Sequence, residues 1–147
     1  MSTGKEDTSR LTIGRLAKQA GVNLETVRYY ERRGLMPEPP RTASGYRIYS
    51  KDDVARIRFI KHAQELGFTL KEISELLSLR VSHDVSCAEV KNKAREKIEE
   101  IDKKIESLQE MKKVLIMLEN RCTGTGPTSQ CPILAGIDGS KVFGFQQ

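Results

Sequence analysis

Between Cys87 and Cys122 the chain runs without a glycine or a proline, and its apolar residues recur in steps of three and four. The repeat takes in Cys87, Val90, Ala94, Ile98, Ile101, Ile105, Leu108, Met111, Leu115, Leu118 and Cys122, with one irregularity around Ala94, and Lys, Arg and Glu flank it. This spacing predicts one long helix with a narrow coiled-coil seam. A lone helix cannot bury such a seam, so a second helix is required, most simply from a second copy of the chain.

The cysteines set the direction of that second helix. At ~1.5 Å per residue, Cys87 and Cys122 lie roughly 50 Å apart along one helix. The extended chain from Cys122 to Cys131 recovers at most about 30 Å. Cys87 therefore meets neither of the other two within its own chain. An antiparallel dimer removes the difficulty, because the partner subunit's Cys87 then faces Cys122. The same fold-back sets Ala94 against Leu115, Ile98 against Met111 and Ile101 against Leu108, apolar against apolar at each pair. The dimerisation seam is thus expected at Val90, Ala94, Ile98, Ile101, Ile105, Leu108, Met111, Leu115 and Leu118, with two thiolate clusters per dimer.

Charge is unevenly placed. Residues 1–80 carry 15 Lys+Arg against 10 Asp+Glu, whereas residues 81–147 carry 10 of each. The excess positive charge belongs to the N-terminal half, as expected where that half meets a polyanion. No apolar run approaches the ~18 residues of a membrane span, and no stretch has the form of a signal peptide. The expectation is a cytoplasmic protein without a membrane partner. Three cysteines are an odd count, which argues for thiol chemistry in a reducing compartment rather than a closed disulfide framework. No CxxC, no Ser/His/Asp constellation and no phosphate-cradling loop is present, so an enzyme is not expected.

The N-terminal half supplies the motif that charge alone lacks. Thr12 caps a short helix to Ala20, Gly21-Val22 makes a turn, and Asn23 caps a second helix from Leu24 to Arg33 that Gly34 ends. Two short helices about a glycine turn make a helix-turn-helix, whose second helix enters the major groove. The candidate DNA contacts are Arg15 and Lys18 on the first helix and Thr26, Arg28, Tyr29, Tyr30 and Arg32 on the second. Pro37, Pro39 and Pro40 then forbid helix, Ser44-Gly45 marks a tight turn, and Tyr46 to Tyr49 reads as a short strand. That strand gives a wing carrying Tyr46 and Arg47 as further phosphate or groove contacts. Ser50 caps a helix to Leu66, and Thr69 caps another from Leu70 to Leu79. His62, within the first of these, reads as structural, and His83 as an exposed linker residue.

Several of these segments resemble, in order, the MerR family of bacterial transcription regulators. They are Leu11-Thr12-Ile13-Gly14, Val27-Arg28-Tyr29-Tyr30-Glu31, Arg33-Gly34-Leu35, Gly45-Tyr46-Arg47-Ile48-Tyr49 and Leu66-Gly67-Phe68-Thr69-Leu70-Lys71-Glu72-Ile73. The resemblance runs from residue 11 into the cysteine loop. It implies a dimer on a pseudo-palindromic operator in a promoter with an over-long spacer. It further implies that ligand binding distorts the DNA so that RNA polymerase engages both promoter elements.

The fold class expected is mainly α. A winged helix-turn-helix DNA-binding domain (11–80) follows an unstructured arm (1–10). A linker and antiparallel coiled-coil dimerisation helix (81–121) comes next, then a metal-binding loop with a short helix (122–135) and a flexible tail (136–147).

Cys122 opens a loop rich in Gly, Thr and Ser that closes at Cys131-Pro132, a poor setting for two core cysteines. Thiolates are soft ligands for thiophilic metals, and three without a fourth donor suit a trigonal ion better than tetrahedral zinc. Cys87, Cys122 and Cys131 also resemble the ligand set of the mercury-responsive members of the family, which implies Hg(II) as inducer. Members sensing monovalent copper, silver or gold carry serine at the position of Cys87, and zinc sensors add further ligands. Cadmium or lead sensing by the same mechanism, and a thiol-redox regulator, are the alternatives.

Overall fold

The computed structural model describes residues 10–82, 84 and 86–139. The arm before Arg10, His83 and the tail from residue 140 onward lie outside the described residues. The chain divides into two compact units between Lys91 and Asn92.

In the first unit, α1 (Ile13–Ala20) and α2 (Leu24–Arg32) form the helix-turn-helix. Both start as short polar caps dictate. Thr12 Oγ1 accepts the Arg15 N–H at 3.3 Å, and Asn23 Oδ1 accepts the Thr26 N–H at 2.8 Å. Gly21 ends α1 at φ 72°, a left-handed turn that a side chain would strain. α3 (Lys51–Glu65) and α4 (Leu70–Val81) each begin in a capping box, Ser50 with Asp53 and Thr69 with Glu72. The reciprocal bonds satisfy two otherwise orphan amides at each start. One core gathers Leu16 and Ala17 of α1, Val27 and Tyr30 of α2, Ile57 and Ile60 of α3 and Ile73 and Leu77 of α4, with Leu11, Leu35 and Tyr49 from the connections.

Three cations of α3 reach across this core to carbonyls at the exits of the first two helices. Arg58 donates to Gln19 O at 2.6 Å, Lys61 to Gly21 O at 3.1 Å and Arg56 to Leu35 O at 2.6 Å. These carbonyls are the partial negative ends left unpaired where a helix stops. Much of the basic character of α3 is therefore spent inside the unit, orienting α1 and α2. His62, expected as a structural residue, instead lies exposed on α3; the helix turns its buried face through Val54, Ile57, Ile60 and Ala63, away from it.

The wing differs from the expected strand. Residues 46–49 form no ladder; the segment makes two isolated bridges, Leu11 with Tyr49 and Arg41 with Arg47. Gly45 turns the chain at φ 85°, Thr42 N–H reaches Tyr46 O at 2.7 Å and Ile48 N–H reaches Pro40 O at 2.9 Å. The other arm of the hairpin begins at Pro39-Pro40, which have no N–H to donate, so pairing cannot extend.

The second unit holds α5 beyond its first turn, a loop, a 3-10 turn at Thr128–Gln130, and α6 (Pro132–Asp138). α5 runs unbroken from Cys87 to Arg121, 35 residues, so the expected helix is present and Cys122 lies just past its end. Most of the expected seam stands open: Ile98 is 57% exposed, Leu108 62% and Leu115 58%. Leu118 is the exception. Assigned above to the dimer seam, it is fully buried within its own chain, packed on Gly136 of α6. A Cβ at Gly136 would stand 2.1 Å from Leu118 Cδ2, so the glycine is what lets the two helices approach. The flexible tail expected from residue 136 is corrected in the same way, because α6 continues through Asp138.

Candidate functional site

The recognition helix and the wing enclose an open groove of about 840 Å³. Four arginines line it (Arg28, Arg32, Arg41 and Arg47), against two glutamates, Glu31 and Glu38. Tyr46 stands at its rim, 73% exposed. A positive concavity beside a short exposed helix is the form in which a phosphate backbone is held while the helix faces the bases. Arg41 was not singled out from sequence; its pairing with Arg47 across the wing turn brings it to the groove.

Of the expected DNA contacts, Arg15, Lys18, Arg28, Tyr29, Arg32, Tyr46 and Arg47 are exposed. Arg28 also pairs with Glu25 one turn earlier, at 3.4 Å. Thr26 is partly committed to its helix, its hydroxyl donating to Asn23 Oδ1 at 2.8 Å. Tyr30 is a correction. It is 3% exposed, and its hydroxyl donates to Gln64 Oε1 of α3 at 2.6 Å. It follows Val27 by three positions, so both fall on the buried face of α2. Neighbouring Tyr29 faces outward.

A carboxylate organises the groove's inner wall. Glu31 of α2 accepts Arg47 of the wing at 2.6 Å through one oxygen and the Tyr49 hydroxyl through the other. Burial first, then the hydrogen bond to Glu31, pushes Tyr49 up to about 12, so it remains a neutral donor. Tyr49 in turn exchanges both backbone hydrogen bonds with Leu11, each at 2.8 Å.

At the other end of the chain Cys122 and Cys131 come together. The loop between them reverses through Gly124 and Gly126, both at positive φ. Cys131 is the N-cap of α6, with Pro132 in the first turn. The N–H groups of Leu134 and Ile133 hold the Cys131 thiol below its ordinary value; burial opposes them, and the hydrogen bond from Cys122 reinforces them. Gly124 N–H donates to Cys122 Sγ at 3.3 Å. The Cys131 sulfur therefore sits among donors that favour the thiolate, which is the form that binds metal. Cys87 is exposed and opens α5, the helix whose end Cys122 follows. Among the described residues no three His, Cys, Asp or Glu side chains converge within one chain. Two adjacent soft donors with backbone N–H support fit a thiophilic ion.

The helix-turn-helix, the arginine-lined groove and the long C-terminal helix define a DNA-binding regulator. Its family follows from comparison. Residues 11–80 match the MerR HTH family regulatory proteins and residues 54–118 the MerR DNA-binding family. The chain belongs to the MerR family of helix-turn-helix transcription regulators.

It is 46% identical to the mercuric resistance operon regulatory protein of Bacillus cereus, over 85% of this chain and 95% of that one. Among solved structures, the dual-function regulator MerR of Bacillus megaterium MB1 in complex with mercury(II) superposes with a TM-score of 0.68. It is 40% identical, over 88% of this chain and 100% of that one. PbrR691 of Ralstonia metallidurans CH34, in complex with lead(II), gives a TM-score of 0.78 at 32% identity, over 86% of this chain and 98% of that one. Among the described residues no helix is long and apolar enough to cross a membrane.

Proposed function

We propose that this chain is a cytoplasmic, mercury(II)-responsive transcription regulator that binds a palindromic operator as a homodimer and activates RNA polymerase by metal-triggered DNA distortion. The observation that carries it is the thiol pair. Cys122 and Cys131 meet beside α6 with N–H donors directed at both sulfurs, while Cys87 opens the helix that Cys122 closes. The open seam on α5 supports an antiparallel partner, with Ile98 against Met111 and Ile101 against Leu108; Leu118 takes no part, being covered by its own α6. In that arrangement the partner subunit's Cys87 joins Cys122 and Cys131, giving three thiolates for one ion at each end of the rod. Bound there, the ion supplies bonds that bridge the two chains.

Two DNA-binding units joined through such a rod hold two half-sites at fixed spacing, and a bridge at the rod's ends biases the angle between them. Deforming an operator costs on the order of several kcal/mol, within reach of metal–thiolate bonds that differ between two states of the dimer. The lead(II) complex of PbrR691 favours a second reading, in which lead, or cadmium with similar softness, is the inducer of the same device.

Transcription in vitro tests the function. With the purified dimer, polymerase and a promoter carrying its operator, transcript is expected to stay low without metal. Submicromolar mercury should raise it by about tenfold or more, equivalent to at least ~1.4 kcal/mol of bias. An output indifferent to mercury, cadmium and lead would remove the metal-sensing reading.

A further inference from the structure

We propose that Glu31 is the positioning residue of the DNA interface: its carboxylate ties the recognition helix to the wing and thereby sets how strongly operator is preferred over other DNA. The inference rests on the DNA-binding reading of the groove.

An acid facing a polyanion needs a reason to be there. Glu31 stands on α2 within the arginine-lined groove, where its charge repels phosphate and lowers affinity for any DNA. Its side chain is only 14% exposed, because both oxygens are occupied. One takes Arg47 Nη1 at 2.6 Å and the other the Tyr49 hydroxyl. The Tyr49 ring is buried in the core at 1% exposure, and its backbone is paired in both directions with Leu11, two residues before α1. The carboxylate thus closes a circuit from recognition helix to wing to the base of the first helix.

The backbone hydrogen bonds of the wing run to Leu11 and within the hairpin, and among the described residues none of them reaches α2. The wing makes two isolated bridges and no ladder, so its position relative to α2 depends on side chains. Glu31 is the side chain of α2 that hydrogen-bonds both Arg47 and Tyr49. The Arg47 side chain remains 41% exposed, and a guanidinium offers a rigid fork of donors. Held by Glu31 and in contact with the Tyr49 hydroxyl, the guanidinium at the groove wall keeps its remaining donors in a fixed orientation. A pre-aimed cation contacts phosphate only where the bases also match the recognition helix, which is a device for discrimination rather than for raw affinity. A cation left loose follows phosphate on any duplex.

The test uses the full-length dimer and two duplexes: one enriched by the wild-type protein from a random pool, and an unrelated duplex of equal length. Glu31→Gln keeps the shape of the side chain and removes the ion pair. The variant is expected to bind the selected duplex about tenfold more weakly and the unrelated duplex equally well or better, so that the preference falls by about tenfold. Its affinity should keep the wild-type dependence on log salt, because Arg47 still reaches phosphate; Arg47→Ala should flatten that slope by about two, one contact for each subunit of the dimer. In the Arg47→Ala background, Glu31→Gln should have little further effect on preference.

A higher affinity of Glu31→Gln for both duplexes with unchanged preference would make Glu31 a mere source of repulsion and overturn the proposal. So would an equal loss on both duplexes, or additive effects in the double variant. Failure of the wild-type protein to enrich any duplex would instead remove the DNA-binding reading beneath it.

Discussion

Cys131→Ser is expected to abolish the proposed mercury-triggered transcription while leaving operator affinity within about twofold of wild type, and Cys122→Ser and Cys87→Ser are expected to do the same. A serine hydroxyl occupies the space of the thiol but stays protonated at neutral pH and is a hard donor, so a soft ion loses a bond it does not regain. The loss is larger than for a peripheral ligand, because removing one of three thiolates leaves two-coordinate binding that small cellular thiols reproduce. At Cys131 the effect has a second origin. The N–H groups of Leu134 and Ile133, which favour the thiolate, are arranged for sulfur at that position. DNA binding should be spared because the cap, core and groove of the helix-turn-helix draw on Leu11 to Leu77 and include no cysteine. Transcript measured with and without mercury, beside operator affinity for each variant, checks this. Induction that survives in any one variant takes that cysteine out of the site.

Mixing two defective chains is expected to restore binding. A Cys87→Ser chain retains Cys122 and Cys131, and a chain with Cys122→Ser and Cys131→Ser retains Cys87. Neither homodimer is expected to hold mercury against excess thiol. In the heterodimer, Cys87 of the second chain meets Cys122 and Cys131 of the first, and one intact cluster forms while the opposite end stays empty. A cluster confined to one chain has no way to appear in this mixture, since neither chain carries all three cysteines. Bound mercury per purified heterodimer, tagged differently on its two chains, reads the outcome. One ion per heterodimer supports the cross-subunit cluster, and none rules it out.

Most of the helical framework was legible because the information is local. Thr12, Asn23, Ser50 and Thr69 cap the helices they were read as capping, and Gly21 and Gly34 end helices in left-handed turns. The heptad spacing from Cys87 found α5 for the same reason.

The misses are long-range. Tyr30 looked like a DNA contact because it shares a basic, aromatic stretch with Tyr29; only the presence of Gln64 on α3 shows it turned inward. The three-residue step from Val27 to Tyr30 was a usable signal. Leu118 fits the seam by spacing, and its burial depends on α6 folding back onto α5 at Gly136, a contact that the expected short helix did not by itself reveal. The Glu31–Arg47 pair joins residues 16 positions apart, across a proline-rich turn whose path no periodicity encodes. The thiol pair occupies a middle ground. The glycine-rich loop between Cys122 and Cys131 announced their approach, whereas the amides of α6 that favour the Cys131 thiolate belong to the folded chain alone.

Competition for metal tests the central claim most directly. The reduced wild-type dimer is offered mercury, cadmium, lead and zinc together with excess small thiol, and metal retained per dimer is measured after separation. Selective retention of mercury is the expected result, since three thiolates in a trigonal set outcompete monothiols for it far better than they do for ions that prefer more ligands. Retention of cadmium or lead in its place would move the inducer while keeping the site. Loss of all four metals to the competing thiol would contradict the metal centre, and would leave oxidation of the thiols as the signal to pursue.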